Sequence, residues 1–285
     1  MTDDAAANLD EQTQKQMEEL RNEAKQAPGV GKLESLQDFA NAEFGLEQTG
    51  PSAATAGTSS SSGSQNTFYK KTMTLTKQFS RLRKCRRDGN CFYRSYLFGM
   101  MAEMCKNVGF RKHIKAILAQ SLSYCESAGY DKFALEEMHE EVTEIVDNLF
   151  PDDQTGELDI SKVEQLFQSD DLNYPICFAR CLTSSFMKHN KDDFLPFLTT
   201  HDTVEAFCMS EVDPLWKEAD QLQIQALASY FKIPIRIFYL DQSEGDACTV
   251  HEMLFNESGG GGEEDSPTAV INFLYRPGHY ELLYV

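Results

Sequence analysis

The sequence lacks a long apolar run, and no stretch approaches the roughly 18 apolar residues of a membrane helix. Its first residues, Met-Thr-Asp-Asp, are acidic and are followed by no apolar segment, unlike a secretory signal or a mitochondrial transit peptide. We therefore expect a cytoplasmic protein that also has access to the nucleus and that does not bind a membrane.

Positive charge is scarce in this chain. Its 285 residues include 26 Lys and Arg against 45 Asp and Glu, which gives a net charge of −19. Binding to nucleic acid needs clustered Lys and Arg, so the composition argues against a nucleic-acid partner. An acidic chain favours neutral or basic protein partners and stays soluble. The hydrophobic fraction of 41% suffices for a sizeable core, and nothing indicates more than a monomer.

Paired metal-binding cysteines are also missing, because the sequence contains no CxxC motif. Most of the cysteines lie in apolar stretches with helical spacing, where a free cysteine behaves as a small hydrophobic residue. In a reducing compartment such cysteines stay as thiols. We therefore expect no disulfide, no metal and no cofactor. The eight cysteines are Cys85, Cys91, Cys105, Cys125, Cys177, Cys181, Cys208 and Cys248.

Residues 1–66 differ in composition from the rest of the chain. Residues 9–25 predict an exposed helix whose thin apolar face makes it marginal in isolation. Residues 49–66, rich in Ser, Gly and Ala, predict a flexible linker. Two interpretations remain open: a disordered, solvating tail, and a tethered segment that folds onto a partner. We place the globular domain at residues 67–285.

Apolar periodicity within this domain predicts helices first and strands last. Helical spacing occurs at 92–104, 112–124, 135–150, 174–189 and 222–231. A period of two occurs at 233–240, 269–275 and 279–285. Residues 245–267, with four consecutive glycines, predict a long loop. This order indicates an α+β fold with an antiparallel sheet.

One motif suggests a nucleophile: Asp-Gly-Asn-Cys-Phe-Tyr-Arg at residues 88–94. Gly89 gives a tight turn the conformational freedom it needs, and Cys91 then enters the first turn of a helix. A helix N-terminus favours the thiolate, and the backbone amides of residues 88–91 would converge there as an oxyanion hole. From these residues alone, a helix cap followed by a buried cysteine remains the alternative.

A thiolate nucleophile needs a base, and His279 opens the last strand after a Pro-Gly turn. Residues i and i+2 of a strand share a face, so Glu281 lies beside His279 and can hold the imidazole. Asp88 either caps the helix or orders the oxyanion loop. A polar edge-strand histidine with a solvated Glu281 is the alternative. The other five histidines lie in segments without a supporting pattern: His113, His139, His189, His201 and His251.

The two blocks together resemble the signature blocks of the otubains, which are deubiquitinating cysteine proteases of the ovarian-tumour superfamily. The blocks are residues 88–94 and Arg-Pro-Gly-His-Tyr-Glu-Leu-Leu-Tyr at 276–284, supported by Asp-Pro-Leu-Trp-Lys-Glu-Ala-Asp at 213–220. The resemblance covers residues 69–285. It implies a papain-like fold of the ovarian-tumour type, in which a mostly helical subdomain packs on a small antiparallel sheet.

The resemblance also implies the roles of the site residues. Cys91 is the nucleophile, His279 is the general base, and Asp88 matches the aspartate usually counted with the active site. The chain departs from the family at Glu281, where the best-known otubains carry Asp or Asn. A carboxylate is kept there, on an arm one methylene longer.

The implied reaction is hydrolysis of the isopeptide bond between the ubiquitin C-terminus and a lysine, with a preference for lysine-48-linked chains. Ubiquitin and polyubiquitin are then partners, with 218–225 and 241–267 as surfaces that face ubiquitin. The better-known otubain also inhibits ubiquitin-conjugating enzymes without using its cysteine. A mainly non-catalytic binder of such enzymes, acting through an arm at residues 1–48, is therefore the alternative function.

Overall fold

The computed structural model describes Ala24 and residues 26–45, 62–169, 172–254 and 269–285. The strands are β1 (Val30–Ser35), β2 (Arg81–Cys85), β3 (Ile235–Tyr239), β4 (Thr249–Met253), β5 (Ile271–Arg276) and β6 (His279–Tyr284). The longer helices are α1 (Leu36–Phe44), α2 (Ser62–Leu75), α3 (Cys91–Lys106), α4 (Val108–Ser127), α5 (Lys132–Leu149), α6 (Ser161–Gln168) and α7 (Asn173–His189). The short α8 (Lys191–Phe194) and α9 (Val204–Phe207) follow, and then α10 (Gln221–Phe231).

The strands form one six-stranded sheet in the order β1-β2-β6-β5-β3-β4. Strands β3 and β5 are parallel, with Ile235 opposite Ile271, while the other neighbours are antiparallel. The predicted α+β class is confirmed, but the prediction of an antiparallel sheet is wrong for this pair. The chain reverses between β3 and β4 and again before β5, so β5 runs in the direction of β3.

Strand alternation divides the core between the two faces of the sheet. Phe273 and Leu282 face the larger cluster, which contains α3 and the helices packed around it. Leu274 and Leu283 face a smaller cluster. Helix α3 is buried on nearly all sides, as expected for a helix that is apolar around its whole circumference. Its first residue, Cys91, therefore lies at the centre of the fold.

The smaller cluster extends the domain toward the N-terminus. Strand β1 pairs with β2, and α1 buries Leu36, Phe39 and Phe44 against the sheet. The prediction that all of residues 1–66 lie outside the domain is therefore wrong for residues 30–44. Helix α2 also begins inside the predicted linker. The helix predicted at 9–25 falls almost entirely outside the described residues.

The remaining predictions can be compared element by element. The five predicted helices are confirmed as α3, α4, α5, α7 and α10, and the three predicted strands as β3, β5 and β6. Strand β4 lies within the predicted loop 245–267, and β2 lies in a basic run that carried no strand prediction. All eight cysteines are free thiols. Among the described residues, no helix combines the length and apolar character that a membrane crossing requires.

Candidate active site

The loop that leads into α3 depends on a glycine. Gly89 has a φ of +74°, which only glycine adopts readily. A Cβ atom at this position would lie 2.0 Å from the backbone oxygen of Trp216. The loop therefore packs backbone to backbone against the segment around Trp216, and no other residue fits at position 89.

Asp88 orders this loop from the inside. Its Oδ1 accepts the backbone N–H of Asn90 at 3.0 Å, and its two oxygens accept both Nη atoms of Arg94 at 2.8 and 2.6 Å. Both side chains are buried, so the ion pair is bidentate and desolvated. The Asn90 amide is thereby engaged with Asp88. This leaves the other backbone amides of residues 88–91 as the predicted oxyanion donors.

Residues 86–90, which lead into α3, form the nucleophile loop. Arg180 of α7 connects this loop to the segment before α10. Its Nη2 donates to Gly89 O at 3.1 Å, to Asn90 Oδ1 at 2.7 Å and to Lys217 O at 2.6 Å. Its Nη1 donates to Val212 O at 2.9 Å. The guanidinium is buried and lies 4.3 Å above the Tyr93 ring. Sequence reasoning missed this residue, because an arginine in an amphipathic helix usually lies on the solvated face.

Cys91 lies against the strand that carries the predicted base. Strands β2 and β6 pair as far as Arg83 and Leu282. Beyond this pair, the chain after β2 leads into the nucleophile loop. This brings the Cys91 thiol close to the backbone of Tyr280, and both residues line the same cavity. The Phe92 ring packs on the Tyr280 ring with centroids 5.6 Å apart. Cys91 therefore contacts the residue next to His279.

The protonation state of Cys91 follows from its burial. Desolvation raises the pKa of the thiol to about 11, and the Asp88 carboxylate acts in the same direction. Hydrogen bonds from the backbone of Tyr280 and Phe92, and the charge of Arg94, lower the pKa by less. The backbone of Phe92, in the first helical turn, lowers the pKa in the expected direction, but burial outweighs this effect. The thiol is protonated at neutral pH, and a thiolate requires a base.

His279 and Glu281 share one face of β6 and are both buried, at 2% and 1% exposure. His279 Nε2 lies 3.5 Å from Glu281 Oε1, which is too long for a strong hydrogen bond. Within the described residues, neither ring nitrogen of His279 has a hydrogen-bond partner. Glu281 Oε1 also accepts a hydrogen bond from Arg276 Nη2, a contact that sequence reasoning missed.

The other histidines have structural surroundings. The rings of His113, His139 and His189 each contact a backbone carbonyl of a neighbouring helix. His201 lies between Thr200 and Ser210, and His251 packs on the Tyr239 ring. In the described ranges, no group of three or more His, Cys, Asp or Glu side chains is arranged to hold a metal ion.

A cavity of about 460 Å³ opens at Cys91. Gly278 and Tyr280 line it from the β5–β6 hairpin, and residues of the predicted segment 218–225 line it opposite. No described residue of the other predicted surface, 241–267, lines it. Sequence reasoning missed the contribution of residues 197–200, because a solvent-facing apolar residue such as Phe197 carries the same signal as a buried one.

These features define a class of protein. A buried cysteine starts a central helix and lines an open cavity. A histidine with a carboxylate beside it lies on the adjoining strand. On an α+β fold, this arrangement is that of a papain-like cysteine hydrolase.

Comparisons with known proteins identify the family. The family model described as Peptidase C65 Otubain matches residues 50–285. Human ubiquitin thioesterase OTUB1 is 31% identical over 219 residues, which cover 77% of this chain and 76% of the human protein. The Arabidopsis thaliana OVARIAN TUMOR DOMAIN-containing deubiquitinating enzyme 1 is 32% identical over 221 residues, or 74% and 71% of the two chains. The chain belongs to the otubains, peptidase family C65, and is a cysteine-type deubiquitinase.

The fold comparison agrees. The structure of h/ceOTUB1 with ubiquitin aldehyde and UBC13~Ub superimposes with a TM-score of 0.78 at 25% sequence identity. The match covers 96% of this chain and 98% of that one. A second structure, h/ceOTUB1 with ubiquitin aldehyde and UBCH5B~Ub, also matches with a TM-score of 0.78 and covers 98% of both chains.

Proposed function

We propose that this protein hydrolyses the isopeptide bond between the ubiquitin C-terminus and a lysine, and that it prefers lysine-48-linked polyubiquitin. One observation carries the chemistry: Cys91, the first residue of the central helix, lines an open cavity together with Tyr280, the neighbour of His279. The relatives named ubiquitin thioesterases support ubiquitin as the substrate. The linkage preference rests on the resemblance to the family.

His279 acts as the base through a defined nitrogen. Because Nε2 faces Glu281 Oε1 at 3.5 Å, Nδ1 is the nitrogen left to accept the Cys91 proton. Glu281 holds the ring and stabilises the imidazolium that forms. Closing of the site around ubiquitin would shorten the contact between Nε2 and Glu281, since catalytic hydrogen bonds are often long in a free enzyme.

The covalent steps then follow from the layout of the loop. The Cys91 thiolate attacks the carbonyl carbon of the last ubiquitin residue, and free amides of residues 88–91 stabilise the oxyanion. His279 gives its proton to the leaving lysine amine, which leaves a thioester on Cys91. His279 next takes a proton from water, whose attack on the thioester releases ubiquitin. No step requires a cofactor.

The cavity suits an extended tail from a basic partner. Three acidic residues line it, Glu211, Glu218 and Asp220, together with the apolar side chains of Phe197 and Leu222. The Glu218 carboxylate lies against Gly278, where a Cβ atom would be 3.2 Å from Oε1. An open cavity with acidic and partly apolar walls favours a flexible segment that carries positive charge.

A panel of linkage-defined diubiquitins tests the linkage preference. We expect the lysine-48-linked dimer to be cleaved about tenfold faster than the others, a difference of roughly 1.4 kcal/mol in transition-state binding. Initial rates at equal enzyme and substrate concentrations measure this. The Cys91→Ala variant is the blank for contaminating activity. Equal rates across the panel would contradict the preference and leave the hydrolase assignment standing.

A second function is favoured by the fold comparison: binding and inhibition of ubiquitin-conjugating enzymes. The two matching structures named above contain UBC13~Ub and UBCH5B~Ub. In this chain, the segment before β1 would act as the arm that contacts the conjugating enzyme. This function would need neither Cys91 nor His279.

Deleting residues 1–23 separates the two functions. We expect the shortened protein to lose inhibition of polyubiquitin synthesis and to keep hydrolysis of a ubiquitin C-terminal amide, because the site lies within the sheet and α3. The matched control is Cys91→Ala in the full chain, which should lose hydrolysis and keep inhibition. If the shortened protein inhibits synthesis as well as the full chain does, the arm is not the inhibitory element.

A further inference from the structure

The β5–β6 hairpin places three charged side chains on one face. Pro277 and Gly278, whose φ is +75°, form its two-residue turn. The register pairs Arg276 directly with His279. Residues opposite each other across an antiparallel pair point to the same side, and Glu281 follows His279 by two. Arg276, His279 and Glu281 therefore share the face that α1 covers.

Arg276 reaches the carboxylate oxygen that faces the imidazole. Its Nη2 donates to Glu281 Oε1, the same atom that lies 3.5 Å from His279 Nε2. The Glu281 side chain is 1% exposed, so its charge would be costly without a cation beside it. The guanidinium of Arg276 supplies that cation.

Helix α1 fixes the other edge of the guanidinium. Arg276 Nη1 donates to Glu43 Oε2 at 3.0 Å. The guanidinium carbon lies 5.1 Å from the centre of the Phe39 ring and 5.9 Å from that of Phe44. Two carboxylates and two aromatic rings thus hold the planar guanidinium of Arg276 in one orientation.

We propose that Arg276 is a positioning residue, clamped by α1, that fixes Glu281 in the orientation in which it holds His279. Glu281 has one more rotatable bond than the aspartate expected at this site, and so it has more orientations to lose. A carboxylate already held by Arg276 needs no further ordering when the imidazolium forms. This inference deepens the proposed function and rests on it.

The dependence of kcat on pH reports this role, because the loss of the Arg276 charge changes how readily the neighbouring groups lose a proton. The titratable or charged groups of the wider site come from five elements. Cys85 of β2 acts on Glu281, and Asp88 of the nucleophile loop and Arg94 of α3 act on Cys91. Glu43 of α1 pairs with Arg276, and Glu218 before α10 lies beside Gly278. Removing a cation from this set makes the neighbouring protons harder to remove. Both limbs of the bell-shaped rate profile then move to higher pH.

The test compares Arg276→Gln, Arg276→Lys and Glu43→Gln with the wild type, using ubiquitin that carries an amide-linked fluorophore at its C-terminus. We expect Arg276→Gln to lower kcat about tenfold, with KM unchanged because Arg276 does not line the cavity, and to move both limbs to higher pH. Arg276→Lys keeps the charge and should return both limbs of the pH profile to their wild-type positions, whereas kcat should recover only in part because lysine lacks the planar guanidinium. Glu43→Gln should lower kcat about threefold without moving the limbs upward.

Several results would overturn the inference. A kcat and pH profile in Arg276→Gln equal to those of the wild type would do so, as would a higher kcat, which would mean that Arg276 draws Glu281 away from His279. Equal losses in the Gln and Lys variants that follow their thermal unfolding would indicate a structural role only. If Arg276→Gln does not fold, Glu43→Gln decides, and an unchanged kcat there overturns the proposal.

The proposed function is checked in the same series with ubiquitin that carries a C-terminal electrophile. A wild type that forms no adduct would overturn the proposed function and this inference with it. A wild type that forms the adduct, with Arg276→Gln reacting equally fast at every pH, would overturn the role of Arg276 alone.

Discussion

Replacing Cys91 with alanine is expected to abolish hydrolysis of ubiquitin C-terminal amides, with a loss of roughly 10⁴-fold or more in kcat. Cys91 is the first residue of α3, and its thiol faces the cavity that Tyr280 also lines. Intact-mass detection of a covalent adduct with an electrophilic ubiquitin gives the same answer independently. The adduct should form on the wild type and be missing from the variant.

A matched thiol serves as control. Cys248→Ala removes a half-buried thiol from the smaller core cluster, far from the cavity, and should hydrolyse as the wild type does. Thermal unfolding of Cys91→Ala should stay close to that of the wild type, because only one sulfur atom is removed. An active Cys91→Ala variant would refute the nucleophile assignment.

His279→Ala should lose nearly as much activity at neutral pH, but its residual rate should respond to pH. Without the base, the thiolate forms only by direct ionisation, and burial holds the pKa of Cys91 at about 11. The residual rate should therefore rise through the alkaline range until the protein unfolds, whereas Cys91→Ala should show no rise. A flat profile for His279→Ala would mean that His279 does not act on the thiol.

Replacing Arg180 with methionine is expected to lower both the stability and the activity of the protein. Arg180→Met removes the guanidinium that donates to Val212 O, Gly89 O and Lys217 O, and it leaves Asn90 Oδ1 with the Trp216 N–H as its remaining donor. We expect the free energy of unfolding to fall by about 1–3 kcal/mol for each buried acceptor left without a donor, together with a fall in kcat as the nucleophile loop loosens. Denaturant unfolding and the hydrolysis of the fluorogenic substrate measure the two effects.

Arg180→Lys is the matched variant. Lysine keeps the positive charge but cannot reach several divergent acceptors from one planar group. It should recover part of the stability and little of the kcat. If Arg180→Lys matches the wild type in both, the charge alone suffices, and the fork of hydrogen bonds to the loop has no separate role.

The enzyme class could be predicted from the sequence, whereas strands β1, β2 and β4 and helix α1 of the fold could not. Cys91 and His279 stand out because a polar turn before a helix and a Pro-Gly turn before a strand are local patterns. The contacts of Arg180 and Arg276 could not be predicted, since each bridges segments far apart in the chain. The local sequence around a buried arginine looks the same as that around an exposed one, so burial can be recognised only when the partners in the fold are known.

The missed elements have related causes. The sequence of β2 is a run of basic residues, which indicates an exposed segment. Its Arg83 is nevertheless buried and donates a hydrogen bond to Gly31 O at 3.0 Å. Helix α1 shows only a few apolar residues in a polar context, and its burial depends on the sheet that it covers. The parallel pairing of β3 with β5 depends on where β4 turns, and the loop pattern at 245–267 contains no information about that.

Strand β1 forms an outer edge of the sheet, and this governs where the chain can be shortened. A deletion up to residue 66, which composition alone would recommend, removes β1 and α1 and bares the backbone of β2 beside uncovered leucines. Unpaired edges of this kind promote aggregation. Arg86 further ties the segment before β1 to the fold, through Ala27 O at 2.9 Å and Gly29 O at 3.0 Å. A soluble enzyme without its arm must therefore begin before Ala27.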